Sequence, residues 1–222
     1  LDILDQRPKV SFKVDKETRR MYEEEIIPFW KGKTQRERVF REMEPEWIEA
    51  YQAGVFTEFQ EQRAPGHTVA GKKAFQKGML DLIEDIHRSL EYLDFLNDPF
   101  AQEKRSELQG MEISARAIIF FAERYSHKLQ DLAEKADNLQ RKSELLEMAN
   151  ICRQVPANAP TTFHEALQHY WFIHLAVITE LNPWDSFNPG RLDQHLWPFY
   201  DKEIRQGTLT KDRAKELLEA FW

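Results

Sequence analysis

The sequence is poor in cysteine, with Cys152 the only one among 222 residues. One cysteine excludes an intrachain disulfide and is typical of proteins from a reducing compartment. The sequence also lacks an apolar run of the roughly 20 residues that a membrane-spanning helix needs, and its beginning has no charged-then-apolar pattern of a signal peptide. We therefore expect a cytoplasmic protein without a membrane partner.

The sequence also lacks any block of charges of one sign. The chain has 31 Lys and Arg against 38 Asp and Glu, and the two signs are interspersed instead of forming blocks. Because nucleic-acid binding needs a basic patch, we expect no nucleic-acid partner. The eight glycines do not form a glycine-rich phosphate loop either.

One histidine motif resembles a zinc site. His164, Glu165 and His169 are similar to the HExxH motif of zinc proteases, but the second histidine follows the first after five residues instead of four. Two helical zinc ligands share a face only at a spacing of four. Since the sequence has no cysteine pair either, we predict no metal site.

Capping residues and apolar periodicity predict a largely helical chain. The segment 55–71 is predicted to be a loop, and strand signals are sparse, at about residues 9–12 and near the loops. The predicted helices cover about residues 15–27, 34–43, 45–53, 72–96, 111–134, 138–153, 161–178 and 210 onwards. Pro28 is expected to end the first, a capping box of Thr34 and Glu37 to open the second, and Pro45 to be the first residue of the third. The helices at 111–134 and 138–153 are predicted to form a hairpin.

The stretch 161–200 is the most informative part of the chain. Thr162 and Glu165 predict a capping box at the beginning of a helix. Apolar residues then cover every side of this helix, which predicts that it is buried all round. Polar residues follow, with Pro189 and Gly190 as helix breakers, and they predict an irregular loop. A buried helix that ends in a polar loop is a common way to build the wall of a site.

The two ends of the sequence predict a piece of a longer protein. The first residue is Leu1 and not Met, and Trp222 lies in a helical pattern without a stop signal. We expect residues 1–222 to be a single internal segment of one domain, without separate domains of their own.

Several motifs together are similar to one family. They are EALQ at 165–168, Glu-x-Asn at 180–182, GRLDQ at 190–194, WPFY at 197–200, RAPGHT at 63–68 and ANICRQVPANAPTTF at 149–163. With this combination the chain resembles the glycyl radical enzymes. That group includes pyruvate formate-lyase, and the likeness is greater to the diol dehydratases and the C–N, C–S and decarboxylating lyases. It is collinear over nearly the whole chain.

The resemblance implies a fold and an activity. Members of the family have a ten-stranded α/β barrel wrapped in helices, and most strands would come from parts of the protein outside this segment, so we expect the segment to be mainly α. A thiyl radical would remove a hydrogen atom from a small-molecule substrate, after which a C–O, C–N, C–S or C–C bond breaks. The family further implies no bound cofactor, a radical-SAM activating enzyme as partner, anaerobic conditions and a homodimer.

The two residues that define this catalysis are absent from the sequence. No glycine lies in the Arg-Val-x-Gly-Tyr type of loop that carries the glycyl radical, and the neighbours of Cys152 do not match the loop of the catalytic cysteine. We expect Cys152 to be a small buried hydrophobic residue. The resemblance therefore implies a substrate-side portion that is inactive by itself.

Two residues of the RAPGHT motif are candidates for substrate binding. His67 matches a Gly-His of the diol dehydratases whose imidazole contacts a substrate hydroxyl, and a neutral histidine can exchange a proton with a leaving hydroxyl. Alternatively, its ring is tied to the backbone of a loop. Arg63 can bind a carboxylate or sulfonate with its planar guanidinium, or it pairs with Glu58 or Glu61 on the surface.

The loop after the buried helix departs from the dehydratase pattern. Where relatives have small and polar residues, this sequence has Trp184, Asp185 and Ser186, and the loop is one residue longer. The indole can pack against a larger substrate, and Asp185 can bind a hydroxyl or a cation. Alternatively, Trp184 closes the barrel mouth and Asp185 caps a turn. A simple glycerol-type substrate is therefore in doubt.

Four further residues are expected to support the site. Arg191 and Asp193 of GRLDQ are predicted to stabilise the loop geometry, because charges next to a core persist only when they are paired and hydrogen-bonded. Glu180 and Asn182 are assigned to the same network.

Two other functions stay open. One is a helical scaffold or remnant that kept the fold without radical chemistry. The other is pyruvate formate-lyase proper, which needs two adjacent cysteines in another part of the protein. The loop motifs favour the dehydratase-like branch over pyruvate formate-lyase. A Cys-x-Glu loop and a glycyl loop in the rest of the protein would support the enzyme, and their absence would support the scaffold.

Overall fold

The structure, a computed structural model, describes residues 1–6, 8, 13–56, 70–180 and 189–222. These residues are mainly helical, as predicted, and the described part of the chain contains no β-strand. The strand signal at 9–12 and most of the loop 55–71 lie outside them. None of the described helices is apolar over a length that crosses a bilayer. The chain divides into two units, Leu1–Gln60 and Glu61–Trp222.

The first unit consists of short helices. They are α1 Asp2–Asp5, α2 Lys16–Met21, a π-helical turn Tyr22–Ile26, α3 Ile27–Trp30, α4 Gln35–Glu42 and α5 Pro45–Gln52. The predicted capping box of α4 is confirmed, because Thr34 Oγ1 accepts a hydrogen bond from the Glu37 N–H while the Glu37 carboxylate accepts one from the Thr34 N–H. Pro45 is at the beginning of α5, as expected.

The prediction that Pro28 ends the first helix is wrong. The helical path continues to Trp30 through the π-helical turn. In this turn the Ile27 N–H donates to the carbonyl of Tyr22, five residues back. The hydrogen-bond pattern has therefore already changed from a spacing of four to a spacing of five before Pro28. Proline at the first positions of a new helix needs no N–H donor, and it is tolerated there.

The second unit contains the buried core. Its elements are a 3₁₀ helix Gly71–Phe75, α6 Met79–Glu91, α7 Ala101–Glu134, α8 Leu139–Gln154, α9 Phe163–Glu180, α10 Leu192–Gln206 and α11 Lys211–Phe221. The main core cluster joins the 3₁₀ helix and α6 to α9, α10 and α11, with Phe75, Ile83, Leu167, Tyr170 and Leu196 among its buried members.

The single helix predicted over 72–96 is two elements. The 3₁₀ helix ends at Phe75, and α6 begins after Gly78. The first N–H groups of α6 do not continue a helix but donate to another loop, Met79 to the Pro156 carbonyl at 2.8 Å and Leu80 to the Ala157 carbonyl at 3.0 Å. A tertiary contact therefore sets this boundary, and periodicity within the segment does not show it.

The helices α7 and α8 form the predicted hairpin. Ser126 Oγ, which is buried, donates to the Ala149 carbonyl at 2.7 Å and links the two helices. α7 begins at Ala101, ten residues before the predicted start, because Gly110 is accommodated inside the helix and does not end it. Asn138 caps α8 with its side-chain oxygen.

The central helix α9 has its predicted capping box but not its predicted burial. Glu165 accepts hydrogen bonds from the N–H groups of Thr161 and Thr162, and Thr162 Oγ1 accepts one from Glu165. Tyr170 is 3% exposed, whereas Trp171 is 39% exposed. The prediction of burial on all sides is therefore wrong for the described residues, because His174 and Phe221 cover only part of the Trp171 indole.

The helix α10 is absent from the predicted helices, and it contains a proline, which lacks the N–H donor that a helix interior needs. It nevertheless extends through Pro198 to Gln206, where Gly207 adopts a left-handed φ of +70°. α10 lies antiparallel to α9, and the Glu203 carboxylate accepts a hydrogen bond of 2.6 Å from the N–H of Phe163. Packing on α9 compensates for the missing N–H of the proline. α11 begins after Thr210, as predicted.

Candidate functional site

Most of the predicted site residues lie outside the described residues. They are Arg63 and His67 in the segment 57–69, and Asn182, Trp184, Asp185 and Ser186 in the segment 181–188. The structure describes Arg191 and Asp193, and it describes Glu180 as the last residue of α9. The predicted substrate contacts of the residues in 57–69 and 181–188 therefore stay predictions.

The described ends of the two segments lead to the same ring cluster, which we define as Phe75, Tyr170, His174 and His195. Phe75 belongs to the 3₁₀ helix that follows segment 57–69, Tyr170 and His174 to the helix that precedes segment 181–188, and His195 to the helix that follows it. The ring centroids of Phe75 and His195 are 4.9 Å apart at an interplanar angle of 18°. Those of Phe75 and Tyr170 are 6.1 Å apart at 4°.

The distances along the helices are short. From Gly71 to Phe75 the 3₁₀ rise spans about 8 Å. From Tyr170 to Glu180 the helical rise spans about 15 Å, and from Leu192 to His195 about 5 Å. The described residues that flank the two segments therefore lie close to one buried cluster within the second unit.

The ring cluster continues toward the surface. His174 stacks on Tyr170 at 5.9 Å and on Trp171 at 5.6 Å, and Trp171 meets the edge of Phe221 at 5.9 Å. Offset-stacked and edge-to-face pairs each contribute about 0.5–1.5 kcal/mol beyond the area that they bury. The cluster thus connects the 3₁₀ helix, α9, α10 and α11 by ring contacts with defined geometry.

Burial keeps the titratable groups of this region uncharged. His169, which is 0% exposed, has its pKa lowered to about 4 because burial disfavours the cation, with a small opposite effect of the Ala74 backbone. Neither ring nitrogen of His169 makes a hydrogen bond of normal geometry with a described residue, and the contact with the Ala74 backbone only opposes the pKa shift. Burial likewise lowers the pKa of His174 and raises the pKa of Tyr170 to about 12. At neutral pH these groups provide apolar support, not acid–base chemistry.

Arg191 and Asp193 are at the beginning of α10. The Arg191 carbonyl accepts hydrogen bonds from the N–H groups of Gln194 and His195, both at 3.0 Å. Asp193 lies in the first turn, where a carboxylate is favoured by the helix dipole. Both side chains are exposed, and they form no ion pair with each other within the described part of the chain. Their predicted role in fixing the loop stays a prediction.

No metal centre is formed by the described side chains. Within residues 1–6, 8, 13–56, 70–180 and 189–222, no three His, Cys, Asp or Glu residues converge on one point. His164 Nδ1 is 3.5 Å from the Glu147 carboxylate, while His169 faces the core. For the remaining residues, the absence of a metal site stays a prediction.

Cys152 is buried, as predicted. Its thiol packs with Ala122 and Phe172, and burial raises its pKa to about 11. A reactive thiol needs an accessible and polar environment. The environment of Cys152 is therefore unsuited to a radical-carrying cysteine.

The ring cluster was missed by the sequence analysis. His195 directly follows GRLDQ, and Phe75 lies among lysines, so neither has a local signal that connects it with the other. The helix periodicity of 72–96 places Phe75 on an apolar face but does not identify its partners.

The helix α9, the polar sequence that follows it and the motif GRLDQ form the combination that resembles the glycyl radical enzymes. Comparison with known proteins confirms that class. Residues 1–222 match the family described as pyruvate formate lyase-like, and the chain belongs to that family.

Two curated relatives match over the whole chain. Trans-4-hydroxy-L-proline dehydratase from Clostridioides difficile is 49% identical over 222 residues. Isethionate sulfite-lyase from Nitratidesulfovibrio vulgaris is 32% identical over 233 aligned residues. The chain covers 28% of the length of each of these proteins.

A solved structure confirms the fold. The crystal structure of hydroxyproline dehydratase from Clostridioides difficile, with trans-4-hydroxy-L-proline bound, superimposes with a TM-score of 0.80 at 48% identity. The match covers 100% of this chain and 28% of that one. The chain is thus a mainly helical part of the α/β barrel fold of the glycyl radical enzymes.

Proposed function

We propose that the chain is the substrate-side portion of a glycyl radical dehydratase that removes water from trans-4-hydroxy-L-proline or a close cyclic amino-acid analogue. The observation that supports this best is the 49% identity with the hydroxyproline dehydratase over all 222 residues, against 32% with the isethionate sulfite-lyase. Both relatives belong to the dehydratase and lyase branch that the motifs predict.

The predicted loop residues suit such a substrate chemically. A hydroxyproline carries a carboxylate, a ring ammonium and a hydroxyl on an apolar ring. In this proposal the Arg63 guanidinium binds the carboxylate, Asp185 binds the ammonium, and His67 contacts the hydroxyl that leaves. Trp184 packs on the ring, and Ser186 adds a hydrogen bond. The larger side chains of this loop also agree with a substrate larger than glycerol.

The chemistry of bond cleavage is assigned to the whole protein. The protein-derived glycyl radical and its cysteine, both outside these 222 residues, supply hydrogen-atom abstraction, while the residues of this chain bind and orient the substrate. We further infer a cytoplasmic homodimer that works under anaerobic conditions and is activated by a radical-SAM enzyme. The 222 residues alone are expected to be inactive.

Pyruvate formate-lyase proper receives no support from these relatives, whose names describe a dehydratase and a sulfite-lyase. An inactive scaffold is distinguished from an enzyme by the experiment below, because a scaffold carries no radical.

The test uses the whole protein that contains this chain, co-expressed anaerobically with its radical-SAM activating enzyme. Electron paramagnetic resonance is expected to show a glycyl doublet that disappears when oxygen cleaves the chain. The activated protein is then given trans-4-hydroxy-L-proline, and mass spectrometry is expected to find a product lighter by one water molecule. Isethionate serves as the competing substrate.

Two results would contradict the proposal. The absence of a doublet, with a related enzyme activated in parallel as control, would indicate the scaffold. A doublet with sulfite released from isethionate, and no water lost from hydroxyproline, would keep the class and overturn the substrate.

A further inference from the structure

We propose that the corner between α6 and α7 is the contact surface of the homodimer, and that it binds the same corner of a second copy of the protein. We call this surface the corner patch and define it as residues 89–111. The inference rests on the homodimer of the proposed function, and it names the surface that joins the two copies. Its test measures association, so it gives a result whether or not the protein turns over hydroxyproline.

The corner patch exposes a large apolar surface. Leu96 is 95% exposed and Tyr92 81%, while Phe95, Phe100 and Met111 are each more than half exposed. If a large side chain has about 200 Å² of surface, these five expose roughly 700 Å². The largest apolar patch of an ordinary monomer is about 300–600 Å², and each partner of a standard interface contributes about 800 Å². The patch is therefore of the size that a dimer needs.

The patch has a protruding tip and a groove side by side. A groove of about 880 Å³ runs along the beginning of α7, and its apolar lining includes Leu93, Phe100, Leu108 and Met111. Because the turn that carries Leu96 joins Leu93 to Phe100, the exposed tip lies beside this groove. In a twofold dimer, residue i contacts residue j while j contacts i. The tip of one copy thus enters the groove of the other, and the reverse contact forms at the same time.

Side-chain hydrogen bonds hold the tip in its exposed position. Asp94 Oδ1 accepts hydrogen bonds from the N–H groups of Leu96 at 3.0 Å and Asn97 at 3.1 Å, and Asp94 Oδ2 accepts one from the Asn97 amide at 2.7 Å. Asp98 accepts a further hydrogen bond from the Phe100 N–H at 3.0 Å. A preorganised surface loses less conformational entropy on binding than a flexible one. The turn therefore keeps Leu96 exposed and in a fixed position for a partner.

The charges of the patch argue against an acidic partner. Its rim carries the exposed acids Glu91, Glu103 and Glu107. Lys104, in contrast, is paired with Asp98 at 2.5 Å. An apolar centre is typical of homodimer interfaces, and salt screens the repulsion between two acidic rims. A second copy, with an apolar tip of its own, fits these properties.

The test uses the whole protein that contains this chain, and analytical ultracentrifugation measures its dimer dissociation constant. Leu96→Glu places a charge on the tip, and Met111→Lys places the opposite charge in the groove. Leu139→Glu is the matched control, because Leu139 is 82% exposed at the beginning of α8. The 34 residues of α7, about 50 Å of helix, separate it from the corner patch. Thermal unfolding of each variant measures whether the fold is retained.

Leu96→Glu is expected to raise the dissociation constant at least about 100-fold, because a twofold dimer loses the apolar contact twice and each new carboxylate is buried without a partner. Met111→Lys is expected to raise it about tenfold, since the apolar stem of lysine keeps part of the contact. Leu139→Glu is expected to dimerise like the wild type. A rise in NaCl from about 0.1 to 0.5 M is expected to leave the wild-type dimer intact.

A mixed dimer tests whether the tip and the groove touch each other. Leu96→Glu and Met111→Lys chains are co-expressed with different tags, and native mass spectrometry counts the three dimers. The mixed dimer contains one native contact and one Glu–Lys pair, so it is expected to exceed both homodimers. A random distribution of the two chains would contradict a direct contact between tip and groove.

Three further results would overturn the inference. A monomeric wild type would exclude a second copy, and a Leu96→Glu dimer of wild-type affinity would assign the contact to another surface. Unfolded Leu96→Glu and Met111→Lys protein, with folded Leu139→Glu, would show that the rest of the same polypeptide covers the patch. A wild type that dimerises through the patch but shows neither a radical nor dehydration would contradict the proposed function alone.

Discussion

Gly78 lies directly against the backbone of the loop before α9, and a Cβ built on it would be 2.3 Å from the Ala157 carbonyl oxygen and 2.4 Å from two backbone carbons of Asn158. The obstacle is main chain, which cannot rotate away as a side chain does. The N–H groups of Met79 and Leu80 donate to the carbonyls of the same loop. Glycine at this position thus allows α6 to begin on that loop.

We expect Gly78→Ala to destabilise the protein by about 3 kcal/mol, because the backbone must separate to accept the methyl group. The thermal unfolding midpoint of the whole protein measures the effect. Gly110→Ala is the control, since Gly110 lies inside α7 with nothing within 4 Å of its added Cβ. That variant is expected to gain about 0.5–1 kcal/mol from helix propensity. Equal effects of the two substitutions would contradict the contact with the Ala157 loop.

The lowered pKa of His169 predicts how the stability of α9 depends on pH. Its pKa is about 4 in the folded protein against an ordinary value of 6.5. The unfolded state therefore binds more protons between these values, and stability falls as pH decreases from about 6.5 to 4, by a total of about 3 kcal/mol. Hydrogen exchange of the α9 amides at several pH values, corrected for intrinsic rates, measures this free energy.

The variant His169→Leu is expected to lose most of that pH dependence and to be at least as stable as the wild type at pH 7.5, because it removes two buried nitrogens that lack hydrogen bonds of normal geometry. His127→Gln, at an exposed position of α7, is the control and is expected to keep the slope. Part of the slope remains in His169→Leu, since burial also lowers the pKa values of His164 and His174. A wild-type slope in His169→Leu would disprove the assignment.

Cys152 is expected to be chemically inert in the folded protein. With a pKa of about 11, its thiol is protonated at pH 7.5, and Ala122 and Phe172 cover it. Iodoacetamide followed by peptide mapping is expected to leave it unmodified until denaturant is added. Cys152→Ala is expected to retain the glycyl doublet and turnover, while Cys152→Ser loses about 1–3 kcal/mol of stability from a buried hydroxyl. Rapid alkylation of the native protein would argue against this packing.

Among the proposed substrate-binding residues, Arg63 is the one whose removal has the clearest expected result. Arg63→Gln is expected to raise KM for trans-4-hydroxy-L-proline at least about tenfold, because a charge-assisted and bidentate contact is lost. The wild type is also expected to reject 4-hydroxyprolinamide, which has no carboxylate, and Arg63→Gln is expected to lose that discrimination. Arg116→Gln, which breaks only a surface ion pair with Glu112, is the control. Equal KM values for the two variants would place Arg63 outside the site.

Much of the fold was predictable where the signal is local. The capping boxes Thr34–Glu37 and Thr162–Glu165 and the cap at Thr210 involve residues three apart, so the sequence contains all of their partners. The class of protein was predictable for a related reason, since GRLDQ and its neighbouring motifs are short and specific.

The incorrect and missed predictions concern contacts between residues that are far apart in the sequence. α10 continues through Pro198 because Glu203 and Leu196 are held by α9, and no local rule for proline includes that contribution. The break at Gly78 is set by a loop almost eighty residues further along the chain. The pair Phe75–His195 spans a still larger separation, and two rings without a common motif cannot be connected by periodicity.

The antiparallel pair α9–α10 has a consequence for engineering. Its far end is closed by the hydrogen bond from Phe163 to Glu203, and its near end by the rings of Tyr170, Phe75 and His195. Neither set of contacts uses residues 181–188. The register of α9 on α10 is therefore expected to survive an exchange of the segment between Glu180 and Pro189, so the helix pair offers a fixed frame for loop grafting.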